Sequence, residues 1–402
     1  MTTDDHDTTR AERLHGLDAL RGGALLLGIL LHASMSFSPV QFWIFQDDAT
    51  SPVASGLFFV IHLFRMTTFF LIAGLFAHMM LHRRGVRGFV KDRMNRIGGG
   101  LFGLWWLVFP AIVAVIIWGA IKANGGVAPT DAPPPPGFSI ETFPLTHLWF
   151  LWVLLIFYAV MLVLRAPFAL MDRNGAWGRG VDRVTGALIG PWTPAVLAAP
   201  LAVALYQLAD WSPFFGVPTP DTGLVPNTPA LVAFGLSFAV GFLLDRRRDL
   251  LDRIAAFWPV FTLAGIGSAV AAMILSGGPV PTLSPIEAGG DKMTVAAVMA
   301  FAIFTTTFAA IALALRFLSG HSPVRRYLAD ASYWIYIVHL PIVMAGQVLV
   351  QDLAWPWWAK LTAIVGATAA IGLVTYALMV RHTFIGGWLN GRRIPWRKPA
   401  VE

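Results

Sequence analysis

Six ionisable side chains stand inside stretches that are otherwise apolar. Arg21 and His32 lie eleven residues apart in one such run, and His62 and Arg65 lie three apart in the next. His147 and His339 sit in two later ones. An ionisable group inside a membrane-spanning helix is costly, and it is kept where it lines a polar cavity, pairs with another group or meets a ligand. Eleven helical residues make about three turns, so Arg21 and His32 share a face about 16 Å apart along the axis. Asp18, one turn before Arg21, is placed to pair with it. His62 and Arg65 share a face one turn apart. Arg65 falls near the middle of its run, too deep to snorkel easily, and is expected to face a polar cavity or an anion. His147, two residues before Trp149, and His339, at the end of Tyr333-Trp334-Ile335-Tyr336-Ile337-Val338, could line the same cavity. Plainer roles remain open beside these: Arg21 snorkelling to the interface, His32 packed as an ordinary core histidine, Arg65 in a structural ion pair.

Other chemistries find little support. His78 and His82 have the i, i+4 spacing of a two-histidine metal site, but no third ligand follows, and no metal centre is expected. His6, His15, His321 and His382 read as solvated or interfacial. The chain has no cysteine, which excludes disulfides, thiolate metal sites and a cysteine acyl-enzyme. There is no Gly-x-Ser-x-Gly elbow, no His-Glu-x-x-His, no histidine followed five residues later by aspartate, and no Walker-type phosphate loop.

The elements that must position these residues are helices. Of 402 residues 56% are hydrophobic and 13% charged, about half the charge of a typical soluble domain. Apolar runs long enough to cross a membrane recur along the chain. They predict an all-α bundle of about ten transmembrane helices near 17–38, 54–81, 98–121, 145–165, 192–208, 229–244, 255–275, 293–316, 331–350 and 358–380. The second run is long enough to be tilted or broken. Trp105, Trp149, Trp192, Trp355 and Trp357 mark helix ends, as interfacial residues do.

All but five of the 29 Lys and Arg fall in alternate connecting segments. These are the N-tail, the segments 82–97, 165–190, 245–253 and 316–330, and the C-tail. The other connections hold only Lys122, Lys292 and Lys360, and the last two cations are Arg21 and Arg65. By the charge-bias rule both termini are cytoplasmic. The net charge of +7 thus reflects membrane topology, and no nucleic-acid partner is expected. The first 13 residues are polar, with no cleavage site after a short apolar core, so the first helix is expected to stay in the membrane. The division is a cytoplasmic N-tail over 1–13, one transmembrane domain over 14–381 and a basic cytoplasmic tail over 382–402. Ala132-Pro133-Pro134-Pro135-Pro136-Gly137 reads as a stiff polyproline II spacer in an outer loop. No fixed repeat and no matching pair of broken helices is present. Small residues on membrane helices are compatible with a homodimer, a generic signal.

The residues resemble a family. Leu17-Asp18-Ala19-Leu20-Arg21-Gly22 followed by His32 is similar to the Arg-x10-His opening of acyltransferase-3 membrane proteins. Phe69 to Phe76 resembles their Phe-Phe-x-x-Ser/Ala-Gly-Phe segment, with Ala73 where Ser is common. Arg93-Met94-Asn95-Arg96 resembles their cytoplasmic Arg-x-x-Arg. His147 to Leu151 and Ser332 to His339 resemble two later segments. These matches keep their order over residues 17 to 341. His62-Leu63-Phe64-Arg65-Met66 is similar to the glucan biosynthesis protein C branch, whose members are taken to succinylate periplasmic glucans. No soluble hydrolase-like domain of the kind some relatives carry is read in the tail.

The resemblance implies a transmembrane O-acyltransferase of the bacterial inner membrane. It would move an acyl group, succinyl or acetyl, from cytoplasmic acyl-CoA to a hydroxyl of a periplasmic glucan or other extracytoplasmic glycan. Acyl-CoA would be a co-substrate, with no tightly bound cofactor, and membrane lipids would be the other partners. His32, with an ordinary imidazole pKa of about 6.5, would take the acceptor proton. His62 would orient it or serve as a second base, and Arg65 would hold the oxyanion or a succinyl carboxylate. Arg21, Arg93 and Arg96 would bind CoA phosphates. Asp18, His147, Trp149, Tyr333 and His339 would line the cavity or meet the acceptor. Two other classes remain open: a transporter or flippase for an anionic solute, whose uptake would depend on a gradient and consume no acyl-CoA, and a scaffold or sensor without chemistry.

Overall fold

The computed structural model describes residues 3–129, 137–172, 174–391 and 395. The polyproline run within 132–136, Arg173 and the tail cations Arg392, Arg393, Arg397 and Lys398 lie outside the described residues. The described chain is helical, with one isolated antiparallel bridge between Pro144 and Thr222. Its helices are α1 (Thr3–Met35), α2 (Pro52–Arg93), α3 (Gly99–Ala123), α4 (Trp149–Met171), α5 (Ala176–Leu188), α6 (Thr193–Gln207), α7 (Thr228–Arg246), α8 (Asp249–Ala256), α9 (Trp258–Leu275), α10 (Gly290–Phe317), α11 (Pro323–Val350), α12 (Trp357–Thr375) and α13 (Phe384–Asn390).

Among the described residues, eight stretches are long and apolar enough to cross a membrane, and a ninth arises if α5 and α6 form one span bent by 97°. One of the eight, Pro52–Ala123, runs for 72 residues. As a straight helix it would be about 108 Å long, far more than a hydrocarbon core of about 30 Å. It is broken at Gly85, whose φ of 66° and ψ of 178° are not helical. Division there makes two spans, so the described residues hold nine, or the expected ten if α5 and α6 make one bent span. Three segments expected to be loops are not: residues 82–97 continue α2 past the break at Gly85 into a π-helical turn, Met94–Gly98, because the basic residues there extend the helix beyond its apolar run. Residues 165–190 contain α5, and 245–253 lead into α8. Both are short amphipathic helices whose period is hidden among Arg, Asp and Gly, so the charges read as a connection. The 316–330 segment is also partly helical, because α11 begins at Pro323 behind the Ser322 N-cap, whose hydroxyl accepts from the Arg325 N–H.

The connections sort into two ends. At one end Arg246 pairs with Asp182 at 2.7 Å, and Arg253 donates to the Gly186 carbonyl. There too Arg381 lies over the Tyr327 ring, His15 meets His321, and Asn390 donates to the Asp330 carbonyl. At the other end the three lysines of the cation-poor connections are each tied down. Lys122 pairs with Asp352 at 2.7 Å, and Lys292 donates to the Leu208 carbonyl at 2.7 Å. Lys360 meets both Asp47 oxygens at 2.8 and 2.9 Å.

Glycines set the closest helix crossing. A Cβ on Gly74 of α2 would fall on the Phe238 carbonyl of α7, and one on Gly241 of α7 would fall on the Leu71 carbonyl of α2. Small residues at such crossings let membrane helices touch backbone to backbone. The contact fixes α2, and with it Arg65, against the rest of the bundle.

Candidate active site

Three histidines from three helical elements meet. The His32 ring at the end of α1 lies 5.3 Å from the His339 ring of α11, centroid to centroid. His339 lies 5.0 Å, edge to face, from His147, just ahead of α4. His147 and His339 are buried, whereas His32 as a residue is half-buried.

A proline sets one of these rings. Pro341 has no N–H to return to the carbonyl four residues earlier, so the Ile337 carbonyl loses its helical donor. His147 supplies it: Nε2 donates to Ile337 O at 3.0 Å. His339 Nδ1 donates to the Tyr336 carbonyl at 2.6 Å. A carbonyl can only accept, so each ring carries its proton on the bonded nitrogen. The remaining nitrogens, His147 Nδ1 and His339 Nε2, are left with lone pairs. Tyr336 closes the frame by donating its hydroxyl to the His147 carbonyl at 2.5 Å. Thr146, immediately before His147, has φ 52° and is the only non-glycine residue with positive φ among the described residues. Such a backbone persists only where its surroundings impose it. Here the Thr146 N–H donates to the Asp221 carbonyl at 3.0 Å.

Arg65 enters this cluster from α2. It is 9% exposed, and among the described residues it has no ion pair. Its guanidinium packs on Gly28 of α1, one turn before His32. A Cβ built on Gly28 would meet Arg65 Nη1 and stand 3.6 Å from His339 Nε2. Four buried polar atoms in this region have no hydrogen-bond partner: His32 Nδ1, Arg65 Nε, His147 Nδ1 and His339 Nε2. Buried polar atoms are normally paired, and a concentration of unpaired ones calls for an explanation. Ring contacts and the approach to Gly28 bring three imidazoles and one guanidinium together, a set suited to a hydroxyl and to a carbonyl oxygen gaining negative charge.

The other expected residues fall into two groups. His62 lies beside the cluster. Its ring stacks on Phe58 at 5.2 Å, and Nε2 donates to the Val217 carbonyl at 3.2 Å. With Trp149 and Thr67 it lines a cavity of about 10 Å³, of the order of one water molecule. Trp149 itself stacks on Phe234 at 5.4 Å. Asp18, Arg21, Arg93, Arg96 and Tyr333 stand at the arginine-rich end, away from the histidines. Arg21 pairs with Asp18 at 3.1 Å and lies over Phe76. Asp92 is a hub for Arg84 and Arg93, both at 2.9 Å, and for Arg96 at 3.4 Å. Three guanidinium groups on one carboxylate leave this end strongly positive. Tyr333 donates to the Arg96 carbonyl at 2.8 Å. His78, half of the two-histidine spacing, is engaged by Asp245 at 2.7 Å.

Several residues with a part in this geometry were given no role from the sequence. Tyr158 lies under the Arg93 guanidinium, and Tyr336, one turn after Tyr333 in α11, reaches the His147 carbonyl. Gln347 donates to the His32 carbonyl at 2.9 Å and accepts from the Trp43 indole N–H at 3.0 Å. Gln347 and Gly28 had a findable signal, since they lie eight residues after His339 and four before His32 on the same helix faces. Trp43 lies in a connection, where no helical period applies.

A family model described as an acyltransferase domain matches residues 14–377. Among similar curated proteins, Glucans biosynthesis protein C of Shigella dysenteriae serotype 1 is 30% identical over 150 residues, 36% of this chain and 37% of that protein. The protein of the same name from Escherichia coli K12 is 30% identical over 149 residues, 36% of this chain and 37% of its own length. That of Salmonella typhi is 31% identical over 151 residues, covering 37% of this chain and 38% of the relative. The matched region thus spans little more than a third of these relatives. No solved structure matches the chain. The family match, in contrast, runs from the start of the α1 face that carries His32 to the end of α12, so the chain belongs to the acyltransferase-3 family.

Proposed function

We propose that this multi-pass membrane protein is an acyl-CoA-dependent O-acyltransferase of the bacterial inner membrane, with a glycan hydroxyl as acceptor. The observation that carries this reading is the meeting of His32, His147, His339 and Arg65 with four unpaired buried polar atoms. The charge bias places the arginine-rich end, with both termini, in the cytoplasm. There Arg21, Arg84, Arg93 and Arg96 offer an anionic coenzyme A several guanidinium groups, which bind phosphate bidentately. The slim thioester end extends along Tyr158, Tyr333 and Tyr336 toward Arg65. The acceptor comes from the opposite end, where His32 is the one half-buried histidine of the cluster.

Transfer is direct. The acceptor oxygen attacks the thioester carbonyl carbon while its proton passes to the His32 imidazole. Arg65 holds the oxyanion as the C–O bond forms. The C–S bond then breaks, and the leaving thiolate takes the proton from the imidazolium. An ester and free coenzyme A result, and His32 is regenerated. Succinyl is the favoured acyl group, because the branch that His62 to Met66 resemble is taken to succinylate periplasmic glucans.

The test is thiol release. Purified protein in detergent is given succinyl-CoA or acetyl-CoA with and without a glucan oligosaccharide, and free thiol is followed. The protein adds no thiol of its own, having no cysteine. Acceptor-dependent release is expected with one donor and is lost in His32→Ala. Full activity in His32→Ala, or no turnover of either donor by folded wild-type protein, overturns the proposal.

A further inference from the structure

The connection between α1 and α2, residues 36–51, is a fixed wall. Its backbone closes on itself, with the Asp47 N–H on the Ser36 carbonyl at 2.9 Å and the Ser51 N–H on the Phe37 carbonyl at 2.8 Å. Asp47 is clamped by Lys360, and both side chains are buried. Phe42 is nested among Phe58, Phe214 and Phe215 at 5.1, 5.4 and 5.6 Å. Phe45 fills the notch left by Gly119 of α3, where a Cβ would strike its ring. Anchored at these points, the wall aims Trp43 at His32, ring centroids 6.0 Å apart.

Trp43 is only half-buried, and its one polar group is already used. The indole N–H donates inward to Gln347, which is 3% exposed and in turn donates to the His32 carbonyl. The part of the indole left for contact is therefore its apolar surface, beside the one histidine of the cluster that is only half-buried. Trp43 lies in the connection at the end of the bundle opposite the arginines. A substrate suited to this mouth needs two features: a hydroxyl for His32, and an adjacent patch of C–H groups to lie on the ring. A pyranose sugar has both, because its axial hydrogens form an apolar face and its hydroxyls rim that face. An acyclic polyol has the hydroxyls without the face.

We propose that Trp43 is the acceptor-positioning residue, stacking a sugar ring so that one of its hydroxyls meets His32. This rests on the acyltransferase reading and adds the residue that selects a cyclic sugar. Gln347 fixes the indole and the His32 backbone to one another, so stacking and proton removal stay in register.

The experiment measures a preference. Full-length protein in detergent, with whichever of succinyl-CoA and acetyl-CoA it turns over, is given a glucan oligosaccharide or glycerol, and thiol release yields kcat/KM for each. In Trp43→Ala the ratio of the two values falls about tenfold, the upper range of what one aromatic contact is worth. Trp43→Phe, which keeps a ring but cannot reach Gln347 with an N–H, retains most of the ratio. A ratio unchanged within about twofold in Trp43→Ala overturns the proposal, however far the absolute rates drop, since a merely structural Trp43 would lower both acceptors together. Wild-type protein that acylates glycerol as readily as the oligosaccharide overturns it as well and leaves the acyltransferase reading standing. Wild-type protein that turns over neither donor overturns both.

Discussion

Gly28→Ala should cost activity while leaving the fold as stable or more so. Gly28 is in the middle of α1, where alanine is the better residue by about 0.5–1 kcal/mol. The new methyl has one hard neighbour, the Arg65 Nη1 atom. The Arg65 Cζ at 3.7 Å and His339 Nε2 at 3.6 Å stay in ordinary contact, which begins at 3.4 Å. Arg65 must therefore swing its guanidinium away by about 1 Å, while the helices have no reason to part. A misplacement of about 1 Å in a catalytic group costs about 10²-fold in rate. Loss of one oxyanion donor costs about 10²–10³-fold, or about 2.7–4 kcal/mol. A fall of about 100-fold in kcat is thus expected, with a melting temperature equal to or above that of the wild type. The assay pairs acceptor-dependent thiol release with a thermal melt followed by the fluorescence of the 16 tryptophans. A double-mutant cycle sharpens it. If Gly28→Ala acts only through Arg65, Gly28→Ala/Arg65→Ala should be no slower than Arg65→Ala alone. Wild-type rates in Gly28→Ala, or additive losses in the double variant, would refute the placement of Arg65 at the reacting carbonyl.

Two further expectations concern stability. Lys360→Met strands a buried Asp47 charge and should lower stability by about 3–5 kcal/mol. Lys360→Met/Asp47→Asn should recover much of that loss, because the amide still accepts from the Ala49 N–H, and melts of both variants decide it. Gly241→Ala should push α7 off α2, where its methyl meets the Leu71 carbonyl, at a cost of about 1–3 kcal/mol. A wild-type melting temperature in that variant would show that the crossing is looser than the geometry has it.

Much of the fold was legible in the sequence because a membrane leaves few choices. Backbone groups in hydrocarbon must be paired within the segment, so long apolar runs mean helices. Ten runs were read, and the structure supplies nine once the 72-residue stretch is divided at Gly85, or ten if α5 and α6 make one bent span. The short amphipathic helices α5 and α8 were missed, since neither has a long apolar run to announce it. The cluster was partly legible. His32, Arg65, His147 and His339 were each costly to place in a membrane helix, and cost is a signal that survives in a single sequence. The partition among them was not. Tyr333 was grouped with His339 because both fall in the family-like segment Ser332 to His339, yet Tyr333 reaches Arg96 while His339 lies near Arg65. Nor could Trp43 be found, because its position depends on Phe42, Phe45 and Asp47 meeting three other elements far along the chain.

The arrangement also explains how a chain without a cysteine could transfer an acyl group across a bundle. A covalent relay is needed when donor and acceptor cannot meet. Here Arg21 and His32 belong to one continuous α1, about 16 Å apart by helical rise, with cations gathered at one level and imidazoles at the other. On α11, Tyr333 bonded to the Arg96 carbonyl and Tyr336 bonded to the His147 carbonyl span the same interval. An extended donor bound by its phosphates at the first level can thus present its thioester at the second. In the proposed reaction the chemical step needs only a base and an oxyanion donor, which His32 and Arg65 would supply from adjacent helices. Rigid spacing between the two levels replaces the nucleophile. Substitutions that leave both levels intact but tilt α1 against α11, as a methyl on Gly22 would by pressing on Ala329 Cα at 3.0 Å, should therefore slow transfer without weakening the binding of donor phosphates.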